Sequence, residues 1–174
     1  MVGRTLDHTA VILGFVWFAA GCTDGQEPEP KSYGDCYMRP ASSPVAAEVV
    51  IGSGDAPSFQ PFAHGADAEL VLGTQGGYMI VPTVRIDALA FGPAGENSCI
   101  ELQTRIGGAV VSSPSFSVHE LTASEGHYYV ERLPLFLSSE LSGIEDERCS
   151  VTATLSTEGR EATGEVEVVL VDEI

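Results

Sequence analysis

Basic residues are scarce in this chain: Lys and Arg total 8 against 25 Asp and Glu, for a formal net charge of −17. Lys31 is the one lysine. Nucleic-acid backbones are held by clustered Lys and Arg, so the composition excludes nucleic acid as a partner. Attraction to anionic lipid headgroups fails for the same reason, and a charge of this size keeps an exported domain soluble and monomeric. A long apolar run is also missing. The uncharged stretch AVILGFVWFAA, Ala10–Ala20, reaches only about 16 Å as a helix, against a bilayer core of about 30 Å. A mature transmembrane helix is therefore a poor reading of this run.

The usual signatures of catalysis are absent as well. His64, His119 and His127 stand in no His-x-His or His-Glu-x-x-His spacing, so zinc is not signalled. No Gly-x-Ser-x-Gly elbow occurs, and Gly52-Ser53-Gly54-Asp55 fits a turn. The run Glu145-Asp146-Glu147 lacks the Asp-x-Asp-x-Asp-Gly pattern of a calcium loop and reads as a solvated charge run. With no nucleophile–base pair to name, the expectation is a non-enzymatic protein without cofactor or metal. Tyr128-Tyr129 points to opposite faces of a strand and reads as one core and one edge tyrosine.

What is present begins at the N-terminus. Arg4 and then Ala10–Ala20 have the order and length of a secretory signal, which is removed on export. Phe18, Ala19, Ala20 and Gly21 then lead into Cys22. These residues resemble the lipobox of bacterial lipoproteins, with Ala19 where that motif usually carries Leu. The resemblance covers residues 1–22 and implies cleavage after Gly21 and a thioether lipid on Cys22. Several acyl chains anchor a protein stably where one holds only marginally. The alternative is an ordinary cleaved signal, leaving a secreted or periplasmic protein. The polar, acidic, Pro-rich TDGQEPEPKSYGD that follows cannot bury enough apolar surface to fold. It reads as a tether. In enteric bacteria an Asp directly after the lipidated cysteine favours inner-membrane retention. Thr23 stands there instead, which by analogy points to the outer membrane.

The organisation expected is therefore a signal peptide over 1–21, a lipidated tether over 22–43 and a folded domain over 44–174. From Val45 onward no stretch keeps a helical period; short apolar runs alternate with Gly, Pro, Ser and Asp turns. This predicts an all-β, immunoglobulin-like antiparallel β-sandwich of about seven to eight strands. Strands are expected near 45–51, 68–72, 78–91, 99–106, 109–119, 127–137, 149–157 and 164–172. In Tyr78–Phe91, Ile80, Val84, Ile86 and Ala88 share one face, with Thr83, Arg85 and Asp87 on the other. Pro82 marks an edge or a bulge, because it cannot donate to a ladder. Gly107-Gly108 and the segment around Glu158-Gly159-Arg160 read as hairpin turns, the second placing Val166, Val168 and Leu170 on the core side.

The Gly-rich LGTQGGYMI, Leu72–Ile80, precedes a strand, the wrong order for a nucleotide loop, which follows a strand and opens a helix. It reads as a turn needing positive φ at Gly76 or Gly77. Gly73, Gln75, Gly76 and Gly77, with the upstream GSGDAPSFQPF, are similar to a stretch in uncharacterised lipoproteins of myxobacteria and relatives. No function comes with that resemblance.

Lipidation of Cys22 would leave Cys36, Cys99 and Cys149, an odd set that strands one thiol. Cys99–Cys149 is the preferred bridge, joining two strand starts. Parity works against a buried one, because Cys149 shares the face of Val151 and Leu155 while Cys99 shares that of Glu101 and Gln103. Cys36 pairing with either one, pinning the tether to the domain, is the alternative. The functional expectation is an envelope lipoprotein held to the membrane through Cys22. Its domain would be a binding or adhesion module for a protein or glycan; the alternative is a structural or accessory subunit of an envelope complex.

Overall fold

A computed structural model describes residues 34–36, 42–74, 76–93, 98–118, 121–140, 142–157 and 159–172. All lie in Ser32–Ile174, the second of two units into which the chain divides. Strands β1 (Gly34–Asp35), β2 (Ser42–Pro44), β3 (Val49–Ser53), β4 (Gln60–Pro61), β5 (Ala66–Glu69), β6 (Val71–Leu72), β7 (Tyr78–Ile80) and β8 (Thr83–Asp87) lead to one helical turn, α1 (Ala88–Phe91). Then follow β9 (Ser98–Ile106), β10 (Ala109–Ser112), β11 (Ser115–Val118), β12 (Thr122–Ser124), β13 (His127–Val130), β14 (Leu135–Ser138), β15 (Arg148–Thr157) and β16 (Gly159–Val171).

The largest sheet is built on β9, β15 and β16. β15 pairs antiparallel with both neighbours in unbroken register, Cys149 to Ser156 against β9 and Arg148 to Thr157 against β16. Its period-2 pattern turns Cys149, Val151, Ala153 and Leu155 wholly inward. Ile100 and Leu102 of β9 and Val168 and Leu170 of β16 join them in the core. Fully burying an aliphatic side chain of this size contributes roughly 1.5–3 kcal/mol. The order β1-β11-β9-β15-β16-β2 is completed by β10 on β9 and β5 on β16. Most pairings are antiparallel, as expected; β2 and β5 run parallel to β16.

The facing layer consists of two sheets, β12-β13-β8-β3-β4 and β14-β7-β6. Ile51, Val84, Ile86 and Val130 of the first and Ile80 and Leu135 of the second enter the same core. The result is an all-β sandwich. Both long strands expected in this layer are broken at one level. Residues 78–91 divide at Val81-Pro82 and 127–137 at residues 131–134. Pro82 has no N–H to give a ladder, and its carbonyl instead accepts from Leu133 N at 2.8 Å. Arg132 turns the neighbouring strand with φ 55, and its N–H reaches Thr83 Oγ1 at 3.3 Å. Ala88–Phe91, expected as strand, is helical because Asp87 caps it, Oδ1 accepting from Leu89 N and Ala90 N at 2.9 and 3.1 Å.

The domain also starts earlier than expected. β1 pairs with β11 and β2 with β16, so parts of the 22–43 stretch read as tether belong to the sheet. Their apolar content is too low to announce this; backbone ladders recruit them, helped by the Cys36–Cys99 bond and by the Ser42 hydroxyl donating to Glu161 at 3.0 Å. Both predicted hairpins form, Ala109 opposite Ile106 and Arg160 opposite Thr157.

The two layers approach each other closely through backbone at Gly164. Gly164 of β16 lies so close to β3 that a Cβ there would collide with the Val49 carbonyl. Gly164→Ala is therefore expected to lower stability by about 1–3 kcal/mol, the usual cost of overpacking. Urea unfolding checks this against Thr163→Ala, an exposed neighbour expected to change little; equal midpoints for the two variants would contradict the close crossing.

Candidate functional site

The outer face of the five-stranded sheet gathers the domain's most distinctive side chains. Ile51, Val84, Ile86 and Val130 point inward, so alternation sends Val50, Gly52, Arg85, Asp87, His127 and Tyr129 outward. Register sets Arg85 beside Val50 on one side and Tyr129 on the other, and His127 beside Asp87. Phe59, from the turn between β3 and β4, folds back onto this face and rests its ring on Gly52, where a Cβ would strike it. Its ring meets Tyr129 edge-on at 5.8 Å and 70°, and His127 meets Tyr129 at 6.3 Å and 65°. The Arg85 guanidinium lies 5.2 Å from the Phe59 centroid. Edge-to-face pairs contribute about 0.5–1.5 kcal/mol each beyond burial, and cation–π contacts about 0.5–2.

The turn carrying Phe59 lies in GSGDAPSFQPF, a segment marked in the sequence by the turn-like Gly52-Ser53-Gly54-Asp55 and by resemblance. It is tied to the segment after β13. Arg132 grips Asp55 through both carboxylate oxygens, with Nη2–Oδ2 at 2.7 Å, and Ala56 N donates to Glu131 Oε1 at 3.1 Å. The Arg132–Asp55 side chains are 62% and 36% exposed, so solvent screening limits their pair to about 0–1 kcal/mol. Tyr128 packs against the core, as expected, but Tyr129 is buried beneath Phe59 rather than exposed at an edge. The alternating pattern could place Arg85, His127 and Tyr129 on one face; nothing local announces that Phe59 covers it.

The other residues singled out from sequence fall elsewhere. His119 lies outside the described residues. His64 borders an open cleft of about 560 Å³ with Ser150, Glu165 and Glu167. There the Ser150 hydroxyl donates to Glu165, while His64 Nε2 stands 3.5 Å from Glu167, so the imidazole does not hold the serine proton. Glu145, Asp146 and Glu147 are exposed in a turn, where Asp146 N donates to Leu170 O at 2.8 Å. Among the described residues no group of three His, Cys, Asp or Glu could hold a metal ion. The Gly-rich segment is the β6–β7 turn. Gly76 takes φ 81 there, and Gly77 is bare because the Phe136 ring covers it. Phe136 is 54% exposed and Val71 38%; both flank Met79 on the outer side of the small sheet.

The cysteines require a correction. Cys99 and Cys149 do not pair. Across the β9–β15 ladder Cys99 faces Ser156 and Cys149 faces Ile106. The two therefore sit at opposite ends, roughly 23 Å apart at about 3.3 Å per residue, whereas a bridge needs Cα atoms within about 7 Å. Cys99 is bonded to Cys36, with Cα atoms 6.0 Å apart. The alternative in which Cys36 pins the start of the domain is the one realised. Cys149 is a free thiol, 0% exposed. Burial pushes its pKa up to about 11, opposed by a backbone hydrogen bond at Arg105. Cys22 lies outside the described residues.

Comparison with known proteins returns no match, neither a family model nor a curated protein.

Two outcomes follow from the cysteines. The Cys36–Cys99 bond spans a sequence separation of 63, for which chain entropy gives about 4 kcal/mol. Cys36→Ser is expected to lose much of that in urea unfolding, and a non-reducing peptide map to link Cys36 with Cys99. Cys149 keeps its proton in the fold while the unfolded thiol ionises near pH 9, so its contribution is complete below pH 9 and falls away as pH rises toward 11. The loss amounts to about 2–3 kcal/mol. Denaturation midpoints between pH 8 and 11 should therefore fall more steeply for the native chain than for Cys149→Ala; parallel curves would refute the assignment.

Proposed function

We propose that the chain is a membrane-anchored envelope lipoprotein whose sandwich, immunoglobulin-like in kind, serves as a non-catalytic binding or adhesion module. The observation that carries this reading is the partition of the four cysteines. Cys36 and Cys99 satisfy each other and Cys149 is sealed in the core. The odd thiol left by lipidation of Cys22 is then the buried Cys149, which supports assigning Cys22 to the lipobox-like FAAGC in which it stands. The acidic, Pro-rich stretch after Cys22 supplies a spacer, and Thr23 in place of Asp directly after Cys22 supports, by analogy, an outer-membrane location. Sandwich domains commonly bind through faces, edges and loop ends. Here the covered Arg85–His127–Tyr129 face is the best supported binding surface. Exposed Val71 and Phe136 flanking half-buried Met79 favour, as a second reading, an accessory subunit that docks a protein, since contiguous exposed apolar surface marks such contacts.

Intact mass of the protein extracted from envelope tests the anchor. The mature chain is expected to begin at Cys22 and carry an acylated thioether, and Cys22→Ala is expected to abolish acylation. An unacylated N-terminus, or one that does not start at Cys22, overturns the reading.

A further inference from the structure

Arg85 departs from the way this chain treats its other described arginines. Arg132 pairs with Asp55 and Arg148 with Glu167. Arg105 donates to Gln103 Oε1 and the Gly108 carbonyl, and Arg160 to the Pro93 carbonyl. Arg85 does none of this. It is half-buried, its guanidinium stacked on Phe59, and its Nε–H is buried without an acceptor. In a chain of net charge −17 this is not for want of carboxylates. A buried donor left unmade is costly, so the orphan is an informative feature.

His127 repeats the pattern beside it, with Nδ1 buried and unpartnered. Arg85 faces Tyr129 and His127 faces Asp87 in the ladder. Arg85 and His127 are thus diagonal neighbours on one face, roughly 7–8 Å apart at their backbones and within reach of long side chains. Three carboxylates around this face are already committed. Asp87 Oδ1 accepts from Leu89 N and Ala90 N, Asp55 is held by Arg132, and Glu131 accepts from Ala56 N.

We propose that Arg85 and His127 form a carboxylate-binding site, closed by the Phe59 turn. A ligand carboxylate accepts side-on from the Arg85 Nε–H and an Nη–H, the fork geometry that guanidinium is built for, and His127 stands as a second donor. Phe59 and Tyr129 wall the ligand's carbon skeleton. Access comes by displacing the turn, whose exposed Arg132–Asp55 latch is weak and whose base has glycine at Gly54, φ 77. This rests on the binding-module part of the proposed function and is independent of the lipid.

The test uses the full chain with Cys22→Ala, so that its failure leaves the question of acylation untouched. D-glucuronate and N-acetylglycine present the carboxylate on a sugar and on a peptide; D-glucose and N-acetylglycinamide are their neutral counterparts. The readout is the Arg85 Nε–H signal in proton–nitrogen NMR, with isothermal titration for affinity. At least one acid is expected to bind and shift that signal while its neutral counterpart does not. Arg85→Gln, with its amide spectrum otherwise retained, is expected to weaken binding by at least about tenfold. Asp55→Ala, which releases the turn without touching the donors, is expected to tighten it. Whichever acid binds identifies the source of the carboxylate. Binding of neither acid, equal binding of the neutral compounds, or affinity unchanged by both variants overturns the proposal.

Discussion

The fold hangs on the position of β15 between β9 and β16. Hydrogen-bonded on both edges, it turns Cys149, Val151, Ala153 and Leu155 into the core with no more than 1% exposure. A slip of one residue against either neighbour would exchange that row for Ser150, Thr152 and Thr154, so burial holds the register firmly. Once three long strands are locked in this way, shorter strands need little apolar content to join. β2 and β5 add to β16 through parallel ladders, and β1 reaches the sheet through β11 with a covalent tie two residues beyond its first residue, at Cys36.

The facing layer obeys a different constraint. A proline without an N–H and a left-handed arginine break two adjacent strands side by side, and the Leu133 N to Pro82 O bond seals the seam. One long sheet thus becomes two. The larger keeps an outer face short enough to be covered by a single turn, and that turn brings Phe59 onto Arg85 and Tyr129. The aromatic and cationic cluster is a consequence of the seam and the turn together.

Much of this was legible in the residues. Short apolar runs located the strands near 99–106 and 149–157, and the glycines located both hairpins. Period-2 alternation assigned Cys99 and Cys149 to opposite faces, and that parity, followed to its end, argues against bridging them. Asp87 before Ala-Leu-Ala-Phe and Gly92 after it were the available signals for a helical turn. They were outweighed by a longer strand pattern of which they formed the tail.

The sequence by itself determined strand content, which faces are buried, the turns and the acidic surface, because side-chain period and glycine placement are local properties of the chain. Only the tertiary structure decided that Cys36 is the partner of Cys99, that Phe59 covers Arg85, and that Gly164 must be bare beneath Val49. Each of these joins residues distant along the chain, and the contact exists only once the ladders have set strand order and the two layers have closed on a shared core.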